Sequence, residues 1–392
     1  MKLTVACLGP LALLTAPAAS AGGDVFVVDA AGGGDHLDLQ PAIDAAADLD
    51  TILVKPGKYD GFTLTDKSLA IAADGLQPPR IRGAATIEDL AGSRAVSFSG
   101  LHFRDGFLVT DSEGSVLFAD CIFTEKGLGD EFCGWESDGR HTVVASDEVV
   151  FSNCVLRGRD GDSQQFCIEV WDSSPGEPGM RIVDSAVSLY GCAVQGGKAG
   201  ATASGVCGVF CTTPPWYSQG GDGIVAEATS FLYLDDTFPV GGEMGDMWQD
   251  NCSFGNQSLP GLDLDVAPES TLATASHALL SFGASSVARE GDALTLDVQG
   301  PAGAKGYAIW SLDPGWRYLG PAVGILHVKS SGLNLVFLGE IPPSGLLQAD
   351  MDLPNLPPGD EGLRMYVQVL AAEGGQRMLG NVRRVSVVDA SF

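Results

Sequence analysis

Four charged residues in one short stretch could carry acid–base chemistry. Arg157, Arg159, Asp160 and Asp162 fall within the segment RGRDGDSQQ. A polysaccharide lyase needs a base that removes the proton beside a uronate carboxylate and a cation that stabilises the resulting carbanion. The cluster supplies both residue types, so we predict it as the catalytic group of a lyase. The alternative is a solvated turn whose local ion pairs add little to stability.

A second set of acids would suit glycoside hydrolysis. Glu136 and Asp138 precede His141, and Glu169 stands three residues before Asp172. Hydrolases flank the scissile bond with two carboxyl groups roughly 5–10 Å apart, a distance that a sequence does not give. Simple exposure on loops is the alternative for both sets.

Aromatic side chains accompany these charges. Trp135, Trp171, Trp216 and Tyr217 lie in or beside long polar insertions. Aromatic rings stack on sugar faces and bury a large apolar area, so we predict that these four residues bind substrate. Their alternative role is to anchor the loops to the rest of the fold.

A repeat of short strands must position these groups. An eight-residue pattern has apolar residues at positions one, three and eight and Gly, Asp or Asn at position five. A constant rung with growing insertions indicates stacked coils around a shared core, as in a parallel β-helix. The five copies begin 20, 33, 38 and 44 residues apart and read VSFSGLHF (Val96–Phe103), VLFADCIF (Val116–Phe123), VVFSNCVL (Val149–Leu156), VSLYGCAV (Val187–Val194) and FLYLDDTF (Phe231–Phe238).

The cysteines divide into two groups. Cys121, Cys154 and Cys192 occupy position six of the repeat, and Cys252 has a similar context; stacked equivalents of this kind predict a ladder of buried thiols. The cysteines between the repeats are the disulfide candidates of a secreted chain. These candidates are Cys133, Cys167, Cys207 and Cys211.

The N-terminus indicates secretion. Residues 1–21 combine Lys2, an apolar run over Leu3–Leu14 and a small-residue cleavage site, which is the pattern of a signal peptide. A strand follows, and then Leu39, Ile43, Ala46 and Leu49 share one face of a helix that Asp38 would cap. A helix at this place can cover the open end of a solenoid.

The segment from Val27 to Leu64, VVDAAGGGDHLDLQPAIDAAADLDTILVKPGKYDGFTL, resembles the opening of pectin-lyase-like proteins, including pectin methylesterases. The resemblance extends loosely through the rungs to about Asn256. It implies an extracellular right-handed parallel β-helix that acts on polysaccharide. The catalytic segments of the esterase and polygalacturonase members do not occur here. Pectate lyases use an Arg base with calcium held by acids, and these residue types are present in the 157–162 cluster.

The remaining chain predicts a second domain. Beyond residue 278, seven alternating segments are separated by Gly/Pro turns, which favours a small antiparallel β-sandwich. We therefore expect an all-β protein: signal peptide 1–21, β-helix 22–260 with an N-terminal capping α-helix, linker 261–278 and β-sandwich 279–392.

Composition limits the partners. The formal charge is −28, from 50 acidic and 22 basic residues, so nucleic acid is not an expected partner. Such acidity serves solubility or calcium binding, and calcium is the one cofactor we consider. No later stretch is long and apolar enough to insert into a membrane. We expect a secreted or cell-surface protein that binds or cleaves an extracellular glycan; the alternative is a non-catalytic structural or adhesion protein.

Overall fold

The computed structural model describes residues 22–124, 141–161, 174–200, 202–204, 219–245, 247–249 and 259–392. Residues 1–21, predicted as a signal peptide, lie outside these ranges. The described chain is mostly β-strand, with one helix, a large all-parallel sheet and a curled mixed sheet near the C-terminus.

The helix begins where the sequence predicted it but ends before Leu49, which has a positive φ of 78°. It spans Leu39–Ala45, and the carboxylate of Asp38 accepts a hydrogen bond from the Leu39 amide at 2.7 Å. Leu39 and Ile43 are buried in the same core cluster as the first strands of the parallel sheet. The helix therefore closes the N-terminal end of that core.

The parallel sheet holds 18 strands, and every pairing within it is parallel. Its strands are Val25–Val28, Thr51–Val54, Lys58–Thr65, Ala70–Ala73, Arg80–Glu88, Ala95–Ser99, His102–Phe103, Phe107–Ala119, Ile122–Thr124, His141–Ser152, Val155–Arg157, Met180–Val183, Ala186–Tyr190, Ala193–Gln195, Ile224–Glu227, Phe231–Asp235, Leu264–Val266 and Thr271–Thr274. The last two lie inside the segment predicted as a linker.

The pairings form three ladders that the chain visits in turn. From residue 95 onward, ladder 1 stacks residues 95–99, 115–119, 148–152, 186–190 and 231–235. Ladder 2 stacks 102–103, 122–124, 155–157 and 193–195. Ladder 3 stacks 107–110, 141–144, 180–183 and 224–227. A chain that returns to the same three ladders is consistent with a parallel β-helix-like fold.

The repeat of the sequence is the passage from ladder 1 to ladder 2. The register of the first four copies is confirmed, with Val96, Val116, Val149 and Val187 stacked in one column. The fifth copy was placed one residue too early, because Val187 pairs with Leu232 rather than Phe231. Its turn residue is consequently Asp236, with φ at 47°.

Aromatic rings fill the core inside the ladders. Phe98, Phe118 and Phe151 stack in one column with centroid separations of 5.1 and 5.0 Å. Phe103 and Phe123 form a neighbouring column at 4.9 Å. All five side chains are fully buried. The apolar columns of the repeat therefore serve packing, as predicted.

The turn from ladder 1 to ladder 2 carries the cysteine column. Asp120, Asn153 and Gly191 adopt positive φ there. The residue that follows each of them is a buried free thiol, namely Cys121, Cys154 and Cys192. The Cys154 and Cys192 thiols donate to the carbonyls of Phe118 and Phe151 one coil back, each at 3.5 Å. The predicted thiol ladder is confirmed for these three residues, while Cys252 and all four disulfide candidates lie outside the described residues.

A serine column occupies the turn from ladder 3 to ladder 1. Ser112, Ser146 and Ser185 are buried, and each hydroxyl donates to the carbonyl two residues before it. The Ser185 hydroxyl also accepts from the Ser146 amide at 3.0 Å. This column satisfies buried backbone groups at the turn. The serine column was not among the features predicted from the sequence.

Each of the seven segments predicted beyond residue 278 contains a strand. The main sheet is mixed rather than antiparallel, because Val287–Arg289 runs parallel to Gln376–Val388. Its other strands are Gly22–Gly23, Lys305–Ser311, Asn334–Glu340 and Gly362–Glu373. Two smaller sheets lie in the same part of the chain: one comprises Ser281–Gly283, Ala293–Gln299 and Leu346–Asp352, and the other comprises Pro314–Tyr318 and Ile325–Val328. We call these and the main sheet the C-terminal sheets. A further two-stranded sheet pairs Thr202–Ser204 with Met247–Gln249.

The C-terminal sheets pack on the outer face of ladder 1. Leu117, Val150 and Tyr190 point outward from the coil and are buried against Ile325 and Val382. Polar contacts add to this apolar interface, since the Asn381 amide donates to the Ser152 hydroxyl at 2.9 Å and the Tyr190 hydroxyl lies 2.8 Å from His327 Nε2. One side of the coil is therefore covered.

Candidate functional site

The predicted catalytic cluster begins where ladder 2 ends. Arg157 is the last residue of the strand Val155–Arg157, and its Nη2 atom lies 3.2 Å from the Asp160 carboxylate. Both side chains are about half exposed, 52% and 47%. The structure thus brings these two residues together as a surface ion pair. Arg159 is partly exposed, and Asp162 lies outside the described residues.

A core histidine supports the start of this cluster. His141 Nε2 donates to the Arg157 carbonyl at 3.1 Å. Its ring is 1% exposed and stacks 5.5 Å from Phe107. Burial lowers the pKa of His141 to about 4, opposed in part by the hydrogen bond to Arg157. The ring is therefore neutral at pH 7 and packs in the core, which does not favour a place for His141 in a hydrolytic loop set. Glu136, Asp138, Glu169 and Asp172 lie outside the described residues.

Beyond ladder 2 the chain builds a layer of glycine-rich segments, which we call the glycine layer. Three outgoing segments leave ladder 2 or its continuation, and three incoming segments lead into ladder 3. The outgoing segments are 158–161, 196–200 and 241–245, and the incoming segments are 174–179, 219–223 and 259–263.

Backbone hydrogen bonds hold the two rows together. The Gly197 amide donates to the Glu177 carbonyl at 2.8 Å, and the Gly221 amide donates to the Gly197 carbonyl at 2.8 Å. The pattern continues in the next two segments. The Gly242 amide donates to the Gly221 carbonyl at 2.6 Å, and the Gly261 amide donates to the Gly242 carbonyl at 3.0 Å. These bonds join one backbone directly to the next, so the layer is held at backbone contact distance.

The glycines are required by space rather than by conformation. A Cβ atom on Gly176, Gly197, Gly221 or Gly242 would overlap a carbonyl oxygen of a neighbouring segment. None of these four residues has a positive φ. Close backbone approach is one of the two roles that demand glycine, and here it produces a dense layer that extends from the coil.

Charged side chains lie along the edge of this layer. The Asp160 carboxylate accepts from the Lys198 amide at 2.8 Å, which ties two outgoing segments together. The Asp222 carboxylate ties two incoming segments together, because it accepts from the Leu262 amide at 2.6 Å. The Asp263 carboxylate ties an incoming to an outgoing segment, because it accepts from the Gly241 amide at 3.0 Å. These carboxylates therefore act as backbone acceptors, which is a structural use of part of the cluster predicted as catalytic.

The predicted aromatic binding residues belong to segments that the structure does not describe. Trp171 lies in 162–173, Trp216 and Tyr217 in 205–218, and Trp135 in 125–140. By chain order, the first two of these segments connect outgoing to incoming parts of the glycine layer. The chemistry proposed for these four residues stays a prediction.

A separate cleft of about 620 Å³ lies between the coil and the C-terminal sheets. Its lining includes Asp120, Asn153 and Arg383. Arg383 Nη2 donates to the Asp120 carboxylate at 2.8 Å, and the Asn153 amide donates to the same carboxylate at 2.6 Å. These three polar groups are thus already paired with each other. Of the residues predicted as catalytic, the three that the structure describes, Arg157, Arg159 and Asp160, do not line the cleft.

Among the described residues, no group of three or more His, Cys, Asp or Glu side chains is arranged to hold a metal ion. The same part of the chain contains no helix with the length and apolar character needed to cross a bilayer. Calcium binding stays a prediction.

Comparison with known proteins gives no match: no protein-family model, no curated protein and no solved structure is similar to this chain.

Proposed function

We propose that this protein binds extracellular polysaccharide through loops that the glycine layer carries. The observation behind the proposal is the layer itself. Six segments, 158–161 to 259–263, pack at backbone contact distance and connect the coil to two of the insertions that contain aromatic residues. A rigid base lowers the entropic cost of ordering loops when they bind a ligand, and binding residues often lie on loops placed by a rigid scaffold.

The aromatic residues give the loops their chemistry. Trp171, Trp216 and Tyr217 fall in the insertions joined to the layer, and Trp135 falls in the insertion between ladders 2 and 3. Rings of this kind combine a large apolar face with a polar edge, which suits the alternating faces of a sugar chain. Binding without cleavage is the activity we favour, because Arg157 and Asp160 neutralise each other at the surface.

Cleavage by a lyase mechanism is the second candidate function. Arg157, Arg159 and Asp160 lie within four positions at the edge of the layer, and Asp162 follows. In that case an Arg would act as the base beside a uronate carboxylate, and a cation such as calcium would stabilise the carbanion.

The finer description of the fold belongs to the same proposal. We assign the coil as a right-handed parallel β-helix of the pectin-lyase-like type, since parallel crossovers in proteins are almost always right-handed. The C-terminal sheets, 279–392, would form a β-sandwich, and the coil would extend from residue 22 through Thr271–Thr274, which continues ladder 1. The protein would be secreted or held at the cell surface, as its first 21 residues suggest.

The test is binding to uronate polymers measured by affinity gel electrophoresis. We expect W171A and W216A to weaken binding by about tenfold each, the effect of losing one stacked ring. The control is W316A, because Trp316 is an exposed tryptophan of the strand Pro314–Tyr318 that packs on Phe231, away from the glycine layer. Equal loss in the control, or no binding by the wild type, would contradict the proposal.

Cleavage is tested on the same polymers by following the absorbance of unsaturated product, with and without calcium. Product formed by the wild type and lost in R157A would establish the lyase. Binding without product would establish a non-catalytic glycan-binding protein of the surface or matrix.

A further inference from the structure

Three polar side chains of the C-terminal sheet share one buried face. Arg364 and Tyr366 are two residues apart on the strand Gly362–Glu373, so they point to the same side of the sheet. Arg384, on Gln376–Val388, is the direct cross-strand partner of Tyr366 and donates to the coil from that side. The three residues are 9%, 1% and 3% exposed, respectively. This face is the one that packs on the outer side of ladder 1.

These side chains carry more donors than their surroundings can accept. Arg384 Nη1 donates to the Leu69 carbonyl and to the Ser97 hydroxyl, the latter at 2.9 Å. The Nε and Nη2 atoms of Arg384, Nη1 of Arg364 and the Tyr366 hydroxyl have no hydrogen-bond partner among the described residues. A guanidinium carries one hydrogen on Nε and two on each Nη. Six donor hydrogens on three neighbouring side chains therefore have no acceptor among the described residues, and the Arg384 guanidinium lies 5.9 Å from the centroid of the Tyr366 ring.

The charges of this group are also poorly balanced. Within the described part of the chain, the one carboxylate paired with Arg364 is that of Asp313, whose oxygen is 3.7 Å from Nη2. Asp313 is about half exposed and is shared with Lys329 at 3.1 Å. Burial and the nearby charge of Arg364 lower the pKa of Arg384 to about 10, although Tyr366 opposes this. Two guanidinium groups are thus brought together in a chain whose total charge is strongly negative.

We propose that Arg364, Arg384 and Tyr366 form a binding site for one small tetrahedral oxyanion, sulfate or phosphate, at the interface between the coil and the C-terminal sheets. A tetrahedral oxyanion offers several acceptor oxygens, carries the compensating charge and matches the forked donors of arginine. Water would leave the two positive charges uncompensated, and it would need acceptors for its own hydrogens. The bound anion would stabilise the docking of the C-terminal sheets on the coil.

A matched control lies one residue away. Arg383 is 5% exposed on the same strand as Arg384, but its guanidinium is paired with the Asp120 carboxylate. R383Q and R364Q remove the same charge from the same interface. Only R364Q removes donors that have no partner.

The experiment is equilibrium dialysis of the purified protein against radiolabelled sulfate at constant ionic strength, with unlabelled phosphate as a competitor. We expect one sulfate per chain for the wild type and for R383Q, displaced by phosphate if the site takes either anion. R364Q should bind at least about tenfold more weakly, the effect of losing a charged donor. Y366F, which keeps the charge and shape and should fold if R364Q does not, should bind about two- to tenfold more weakly.

Two results would overturn the proposal. One is the absence of saturable sulfate binding by the wild type up to about 10 mM, a concentration that still detects weak sites, which would mean that water fills the cluster. The other is sulfate binding by R364Q, or by Y366F where R364Q is unfolded, with the affinity of the wild type. This second outcome would place the bound anion elsewhere.

Discussion

Replacing His141 by phenylalanine should change how the stability of the protein depends on pH. The pKa of this histidine falls from 6.5 to about 4 because the ring is buried. A difference of that size corresponds to about 3 kcal/mol, at about 1.4 kcal/mol for each unit of pKa. In the unfolded chain the ring takes up its proton near pH 6.5. The stability that the neutral ring gives the folded protein is therefore fully present above that pH and is lost as the pH falls through about 4.

The perturbation suits the site. The His141 ring stacks with Phe107 and packs edge-on against Phe123, so phenylalanine keeps the aromatic column. It loses the hydrogen bond to the Arg157 carbonyl, which costs about 1 kcal/mol at every pH. H141F should therefore be slightly less stable than the wild type at pH 8, and more stable than the wild type near pH 4.

Urea unfolding followed by tryptophan fluorescence between pH 4 and pH 8 measures this difference. The contribution of every other ionisable group cancels when the wild-type and variant curves are subtracted. H141Q is the second variant, because it keeps a hydrogen-bond donor without a titrating ring and should flatten the curve in the same way. Parallel wild-type and H141F curves would refute the reasoning, since they would show that the ring is not held neutral by burial.

Three further predictions concern Asp235 at the end of a ladder 1 strand, the glycine layer and the thiol ladder. Burial raises the pKa of Asp235 from 3.8 to about 6, so its effect has the opposite sign: D235N should remove a loss of at most about 3 kcal/mol that the wild type undergoes as the pH rises from about 4 to 6, and a D235N curve parallel to the wild type would count against this. G221A should destabilise the protein by about 3 kcal/mol or more, because the new Cβ overlaps the Glu177 carbonyl; G283A, whose Cβ would meet nothing within 4 Å, should stay within about 0.5 kcal/mol of the wild type in thermal unfolding, and equal effects would show that the layer is not closely packed. The Cys154 thiol, whose pKa is raised by burial, should resist Ellman's reagent until the protein unfolds, and rapid labelling located by mass spectrometry would contradict this.

The stacked coils could be predicted because their signal is a side-chain pattern. Val96 and Phe98 point inward in one coil as Val116 and Phe118 do in the next, and a strand with period-two apolar residues records that face in the sequence. The register of the fifth copy could not be settled in this way. Phe231 is as apolar as Leu232 and lies directly before it, so the apolar pattern fits either start.

The glycine layer was not predicted because its segments pack mainly through backbone atoms. Hydrophobic periodicity finds a buried face, but Gly197 and Gly221 have none to show. The usable signal was the recurrence of glycine pairs, at 196–197, 220–221 and 241–242, each shortly before or after a ladder strand. The candidate cluster suffered from the same limit. Arg157 and Asp160 could be named from their types, but their pairing at the surface depends on where the layer places Lys198.

The arrangement of the ladders limits where a ligand can bind. The outer face of ladder 1 is buried under the C-terminal sheets, where Tyr190 and Tyr233 are almost fully covered. By chain order the insertions leave the coil between ladder 2 and ladder 3, whereas the C-terminal sheets pack on ladder 1. Substitutions that weaken the docking, such as R383Q, should therefore lower stability and leave glycan affinity unchanged under conditions where the protein stays folded. If R383Q weakened glycan binding as much as W216A does, the covered face and the loop side would be coupled, and the separation of scaffold from binding surface would have to be abandoned.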